Sequence, residues 1–321
     1  MKRFIPILLA FNLLPLITIS QSPAKKVEPL DLKMHINGLS GGYMLLAHYY
    51  ADQNRILDTG WVDTKGNVHF KRDSAAPGGV YLVVFPSKRP FEIIIADEQK
   101  FSIDVPDTND IVNTIKINGS KENLHFYEYH RFIAMQRQKV EPLQNAMKSA
   151  RERKNKDSIE LLTKQIAAID STVKLYIRDF YRKKHPETFL SKILAATDEP
   201  EVIPYHLMPR KADGTIDSAY NYWNLRNHYW DGFDFSDDRM IRTQVYYQKV
   251  KFYLEKLTPQ HPDSITKNCI WLIEKSRASK ELFKWSVSWL TYHYESSMIM
   301  GYDAIFVKLV DRYYKTGEVT W

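Results

Sequence analysis

Ile117-Asn118-Gly119-Ser120-Lys121-Glu122-Asn123 is the stretch at which the chain changes character. Before it, apolar residues alternate with polar ones in short runs; after it, they recur every three or four positions. The upstream runs fall at 33–37, 42–50, 56–63, 67–72, 79–86, 91–96 and 100–105. Turn chemistry separates them, at Gly41-Gly42, Asp52-Gln53-Asn54, Asp63-Thr64-Lys65-Gly66-Asn67 and Pro77-Gly78-Gly79. About seven short strands at this spacing predict an antiparallel β-sandwich or a small barrel over residues 30–118. The run 80–85 is apolar on both faces, which places it centrally in a sheet. Asp58, Asp63, Asp73 and Asp104 lack the dense oxygen-ligand spacing of a calcium loop and read as turn residues.

Downstream, Ser120 is a candidate N-cap, followed by Tyr129, Ile133, Gln136, Val140, Leu143, Met147 and Ala150 at alternating spacings of four and three. A polar break, Lys154-Asn155-Lys156-Asp157, precedes a second series, Ile159, Leu162, Ile166, Ile169, Val173, Tyr176 and Phe180. Two such series joined by a short turn predict an antiparallel helical hairpin over residues 119–184, with arms about 40 Å long. Asp157 with Glu160 three residues on reads as a capping box, and Pro142 should bend the first arm. Residues 185–321 are aromatic-rich, with helical spacing at 186–196, 218–229, 239–257, 262–275, 280–296 and 302–314. The fold class is therefore α+β multidomain: an N-terminal antiparallel β-sandwich, an antiparallel helical hairpin and a C-terminal α-helical bundle.

The first twenty residues read as an address. Lys2 and Arg3 precede an apolar stretch, 4–17, interrupted by Pro6, Asn12 and Pro15. Small residues Thr18 and Ser20 stand at −3 and −1 before Gln21, as in a secretory signal at 1–20. Export to the periplasm or cell envelope is expected, with no transmembrane span after signal removal. The formal net charge of +7 is uneven. Residues 131–184 hold 14 basic and 6 acidic groups, so the excess lies in the hairpin, where it reads as a solvated face or a contact for an anionic surface. An exported chain gives that charge little to do with nucleic acid.

Little in the sequence points to catalysis. The chain has one cysteine, Cys269, which excludes an intramolecular disulfide, a CxxC pair and a cysteine-based zinc site. Among ten histidines, His125 and His130 are five apart, His48 and His69 lie on separate strands, and none forms HExxH. No GxSxG, P-loop or GxGxxG pattern occurs, so no catalytic residue, cofactor or metal is assigned. The most unusual run is 220–239, where rings are interleaved with Asn and Asp. Rings at helical spacing pack inward, with Ser236 or Asp237 capping the next helix. They can also line a recognition groove. The candidate binding surface is Tyr222, Trp230, Phe233 and Phe235. Trp230 is the expected anchor: Asp231-Gly232 should break the helix beside it and let the backbone turn closely around a ligand. The partner classes that fit are an envelope protein or peptide, or a glycan.

Several stretches also resemble a known family. The run 58–63, the turn ending at Gly66, Pro77-Gly78-Gly79-Val80-Tyr81, 91–95, 101–104 and 117–123 resemble the N-terminal β-domain of exported thioredoxin-like proteins of Gram-negative bacteria. Phe233-Asp234-Phe235-Ser236-Asp237, Pro262-Asp263-Ser264-Ile265, 300–307 and 313–317 look like the helical domain of that family, so the resemblance spans roughly 30–321. In those thiol–disulfide oxidoreductases a catalytic domain with a Trp-Cys-x-x-Cys site normally follows, and Trp321 falls about where its linker is expected to start. The resemblance thus implies a non-catalytic accessory region that presents or recognises a protein partner. The alternative is a stand-alone envelope module that binds a glycan or peptide.

Overall fold

The computed structural model describes residues 28–320, so the signal expected at 1–20 lies outside the described residues. Strands β1 (Asp31–Ile36), β2 (Tyr43–Tyr50), β3 (Gln53–Trp61), β4 (Asn67–Lys71), β5 (Gly79–Val84), β6 (Pro90–Ile95), β7 (Lys100–Val105) and β8 (Lys116–Asn118) form two four-stranded sheets. Their orders are β4-β1-β7-β8 and β3-β2-β5-β6, so the region is a sandwich and not a barrel. Period two drives the layering: Leu32, Met34 and Ile36 of β1 are buried, as are Phe101, Ile103 and Val105 of β7. β5 is central, between β2 and β6, as its two apolar faces require. Pairing is antiparallel except between β1 and β7, which run parallel. β8 and the single turn α1 (Ile111–Thr114) are too short to show a period in the sequence.

The hairpin consists of α2 (Lys121–Glu152) and α3 (Lys156–Asp179), the latter running into a π-helical turn, Phe180–Lys184. Pro142 lies inside α2, and the two expected series face each other: Gln136, Met147 and Ala150 are buried, while Phe132 stacks on Tyr176 at 3.6 Å. No residue of α3 is fully buried, so the hairpin has its seam as its only core. The cap is displaced from the expected position. Asn155 accepts from Ser158 N at 3.0 Å, which moves Asp157 into the first turn of α3. The shorter link is possible because Lys154 takes a left-handed φ of 55°.

The remaining helices are α4 (Phe189–Thr197), α5 (Tyr220–His228), α6 (Val245–Lys256), α7 (Pro262–Ser276), α8 (Lys280–Glu295) and α9 (Asp303–Leu309), which continues as a π turn, Val310–Tyr314. The expected helix at 239–257 is divided. Residues Asp238–Arg242 form a 3-10 turn, and extended Thr243 accepts from Val245 N while its hydroxyl donates to Met240 O. A threonine that satisfies both ends locally stops one helix and starts the next.

Two contacts lock sandwich to helices. At the first, Ser120 caps α2, and the buried Asn123 amide pairs with both backbone groups of Ile94 on edge strand β6. Its Oδ1 accepts from Ile94 N at 2.8 Å and its Nδ2 donates to Ile94 O at 2.6 Å. Its neighbour Glu122 accepts from Phe189 N and Leu190 N, 3.1 and 2.8 Å, at the start of α4. At the second, Arg242 Nε donates to Gly78 O at 2.8 Å while the guanidinium pairs with Glu281. The approach there is so close that a Cβ on Gly79 would stand 2.4 Å from Arg242 Cβ. Asn123→Ala strips both partners from Ile94, so urea unfolding should show a loss of about 2–4 kcal/mol. Asn123→Asp, which keeps the acceptor but sets a buried carboxylate against Ile94 O, should lose at least as much.

Candidate functional site

The outer face of the β4-β1-β7-β8 sheet carries a groove of about 600 Å³. It is built by the same alternation that fills the core, because every residue between two buried ones points out. Strand register sets these outward residues in rows. His69, Lys33, Ser102 and Asn118 align across the four strands, and Asn67, His35, Asp104 and Lys116 form the next row. His35 Nδ1 lies 2.6 Å from Asp104 Oδ1, His69 Nε2 lies 2.8 Å from Asp31 Oδ1, and Lys116 Nζ is 3.8 Å from Asp104. The hydrogen bond with His69, aided by Lys33 and Lys71, holds the Asp31 carboxyl below its ordinary range. Asn67 does the same for Asp63 through its side chain and its backbone N–H.

One wall of the groove is aromatic. Trp61, at the end of β3, is 58% exposed, and Tyr43 meets it edge to face at 4.9 Å. A large exposed ring beside rows of amines, carboxylates and amides offers apolar area with directional hydrogen bonds at its margin. Among the described residues no serine, threonine or cysteine is hydrogen-bonded to His35 or His69, so the pairs lack the nucleophile of a triad. The groove is equipped to hold a ligand.

The aromatic run at 220–239 lies elsewhere and its rings divide: Tyr229, Trp230 and Phe233 are buried, whereas Tyr222 and Trp223 are exposed. Trp230 is 9% exposed and Phe233 6%, and Phe235 is partly buried, which corrects their expected place on a binding surface. α5 does stop at His228, before Trp230, but the chain then folds back and turns the ring inward against Phe235 at 5.2 Å and Phe233 at 5.4 Å. Gly232 permits a close approach of a different kind: a Cβ there would stand 2.0 Å from Ala195 O, so the backbone is pressed against α4 and not around a ligand. Tyr222 is 38% exposed, yet its hydroxyl donates to Leu257 O at 3.3 Å. Arg226 Nε donates to the same oxygen at 2.7 Å, so both close the C-terminus of α6.

Two further groups bear on chemistry. Cys269 has no solvent exposure, and burial pushes its thiol up to about 12, which keeps it protonated and unreactive. Lys249 is buried beside a cleft that includes Glu199, Gln248 and Phe252. Its Nζ donates to Tyr229 O at 2.5 Å and sits 3.8 Å above the Tyr229 ring, and burial pulls the amine down to about 8.

A family model described as a domain of unknown function (DUF4369) matches residues 30–126, and a second so described (DUF5106) matches residues 208–320. Neither description names an activity. No curated protein and no solved structure matches the chain. The first match takes in the whole sandwich and ends just past Asn123, within the first turns of α2.

The Lys249 amine has a measurable consequence. Unfolded, it returns to its ordinary value of 10.5, so between pH 8 and 10.5 the unfolded chain holds a proton that the folded chain has released. Stability therefore rises with pH across that window through this group and is flat below it. Lys249→Met should raise stability at pH 7 by about 1–3 kcal/mol and remove that part of the slope. Urea unfolding of both proteins at pH 7 and pH 9.5 checks it; parallel pH dependences would mean that the amine is charged in the folded state.

Proposed function

We propose that this chain is a non-catalytic recognition module of the cell envelope and that the outer face of the β4-β1-β7-β8 sheet holds its partner. The observation that carries the reading is the groove itself: two rows of paired His, Asp, Lys and Asn side chains beside the exposed Trp61 ring. Such a face can bind an extended polypeptide, with Lys33, Lys116, Asp63 and Asp104 meeting side chains and amides of either polarity. That role agrees with an accessory region of a thioredoxin-like oxidoreductase, which presents or recognises a protein for a redox centre supplied elsewhere. The buried Cys269, one thiol without a partner, supports the separation of recognition from chemistry.

A second reading, a glycan-binding module, is favoured by one observation, the exposed Trp61 ring at the groove wall with the exposed Tyr43 ring against it. Sugars stack on exposed rings while carboxylates and amides take up their hydroxyls.

Trp61→Ala and His35→Ala should each keep the wild-type melting temperature, because the side chains are exposed or half-exposed. Binding of a reduced, unfolded polypeptide, followed by fluorescence anisotropy, should weaken by more than about tenfold in both. If soluble peptidoglycan fragments bind instead and depend on the same residues, the glycan reading stands. Binding that survives both substitutions would remove the groove from the account.

A further inference from the structure

Three donors meet at the base of the hairpin. His125 and Glu128 are three apart on α2, so they project from one face a turn apart. His185 enters from the other end of the hairpin, directly after the π turn Phe180–Lys184, where its backbone N–H donates to Phe180 O at 2.9 Å. π turns cost regularity and recur where a side chain must be delivered to a set position. Here the delivered side chain is an imidazole: the His125 and His185 rings lie 3.6 Å apart at 32°, and His125 Nδ1 is 3.6 Å from Glu128 Oε2. One ligand atom from each of the three residues lies within 4.8 Å of the other two. Among the described residues the contact of His125 Nδ1 is this ion pair with Glu128, the same carboxylate that would share an ion with it. The Phe180 ring, 6.3 Å from His125 and 4.8 Å from His185, forms an apolar floor. Among the described residues no other three His, Cys, Asp or Glu side chains converge in this way.

We propose that His125, Glu128 and His185 bind a zinc ion, leaving its fourth position for water or a ligand atom. Two imidazoles and one carboxylate are a donor set that zinc accepts, and borderline-soft nitrogen donors favour it over magnesium or calcium. The three atoms lie within 4.8 Å of one another, against about 3.4 Å between the ligands of a tetrahedral zinc, and the exposed Glu128 side chain is placed to rotate toward the ion. The ion would join the first turns of α2 to the exit of the hairpin, so both arms would be held at their base. The role is independent of the groove on the sandwich.

Full-length protein freed of metal by chelation and dialysis, then titrated with Zn²⁺ by calorimetry, should bind one ion per chain. Co²⁺ at the same site should give the intense visible absorption of a tetrahedral ion. His125→Ala and His185→Ala should each weaken binding by more than about tenfold. Because His185→Ala can disturb the π turn, Glu128→Gln on the exposed face provides the second variant; it should weaken zinc with an unchanged circular dichroism spectrum. Zinc should raise the melting temperature of wild type and not that of Glu128→Gln. His228→Ala, at an exposed histidine paired with Asp231, should bind as wild type does. Absence of zinc binding, or binding kept in both histidine variants, or lost in His228→Ala, would overturn the assignment.

Discussion

An edge strand next to a helix must have its backbone groups satisfied, and here two side chains of α2 do it: Asn123 at Ile94, and Tyr127, whose hydroxyl donates to Glu92 O at 2.8 Å. The Asn123 amide takes the place that a neighbouring strand would occupy beside Ile94, giving one acceptor and one donor where β6 would otherwise face an apolar helix. The residue before it serves the other side of the same junction. Glu122 presents its carboxylate to two N–H groups at the start of α4, although burial pushes its pKa up against that interaction. Ser120, Glu122 and Asn123 thus close a helix start, a second helix start and a sheet edge within one turn. The sandwich and the helices are consequently joined by buried polar groups that lose several hydrogen bonds together if the turn opens.

That junction also decides which surface is left for function. The β3-β2-β5-β6 sheet is engaged at its β6 edge by α2 and, at the ends of β2 and β5, by the turn around Ile241 and Arg242, which binds Ala51 N and Gly78 O. Among the described residues no helix covers the outer face of the β4-β1-β7-β8 sheet, and its alternation runs polar-out along β1, β4 and β7. The helical region, by contrast, buries a cluster of its rings, although Trp223, Trp271 and Tyr292 stay exposed. Trp230, Phe233 and Tyr246 pack edge to face and in stacks, and Lys249 lies over Tyr229. The buried rings of this chain thus form a core assembled from large side chains, while Trp61 stands exposed beside the groove.

Periodicity made much of this legible in the sequence. The hairpin seam from Tyr129 to Ala150, the central position of β5 and the cap at Ser120 follow from spacing and residue type alone. What escaped is what strand register and chain crossing create. His35 and Asp104 are 69 positions apart and meet only because β1 and β7 pair in parallel, a pairing that no local pattern announces. His125 and His185 are brought together by the return of the hairpin, and as an i, i+3 pair His125 and Glu128 match no metal motif. The misplacement of Trp230 has the same origin: the helix break was readable, whereas the direction in which the chain turned afterwards depended on Gly232 pressing against Ala195.

Native-state hydrogen exchange at three amides addresses the junction most directly. Ile94 N–H donates to Asn123, while Phe189 and Leu190 N–H donate to Glu122. If one turn of α2 binds sandwich and helices into a single cooperative unit, all three should exchange only through global unfolding, with one free energy and one dependence on denaturant. Exchange of Phe189 and Leu190 through a local opening, while Ile94 stays protected to the global limit, would show that the two regions come apart independently and would contradict the account.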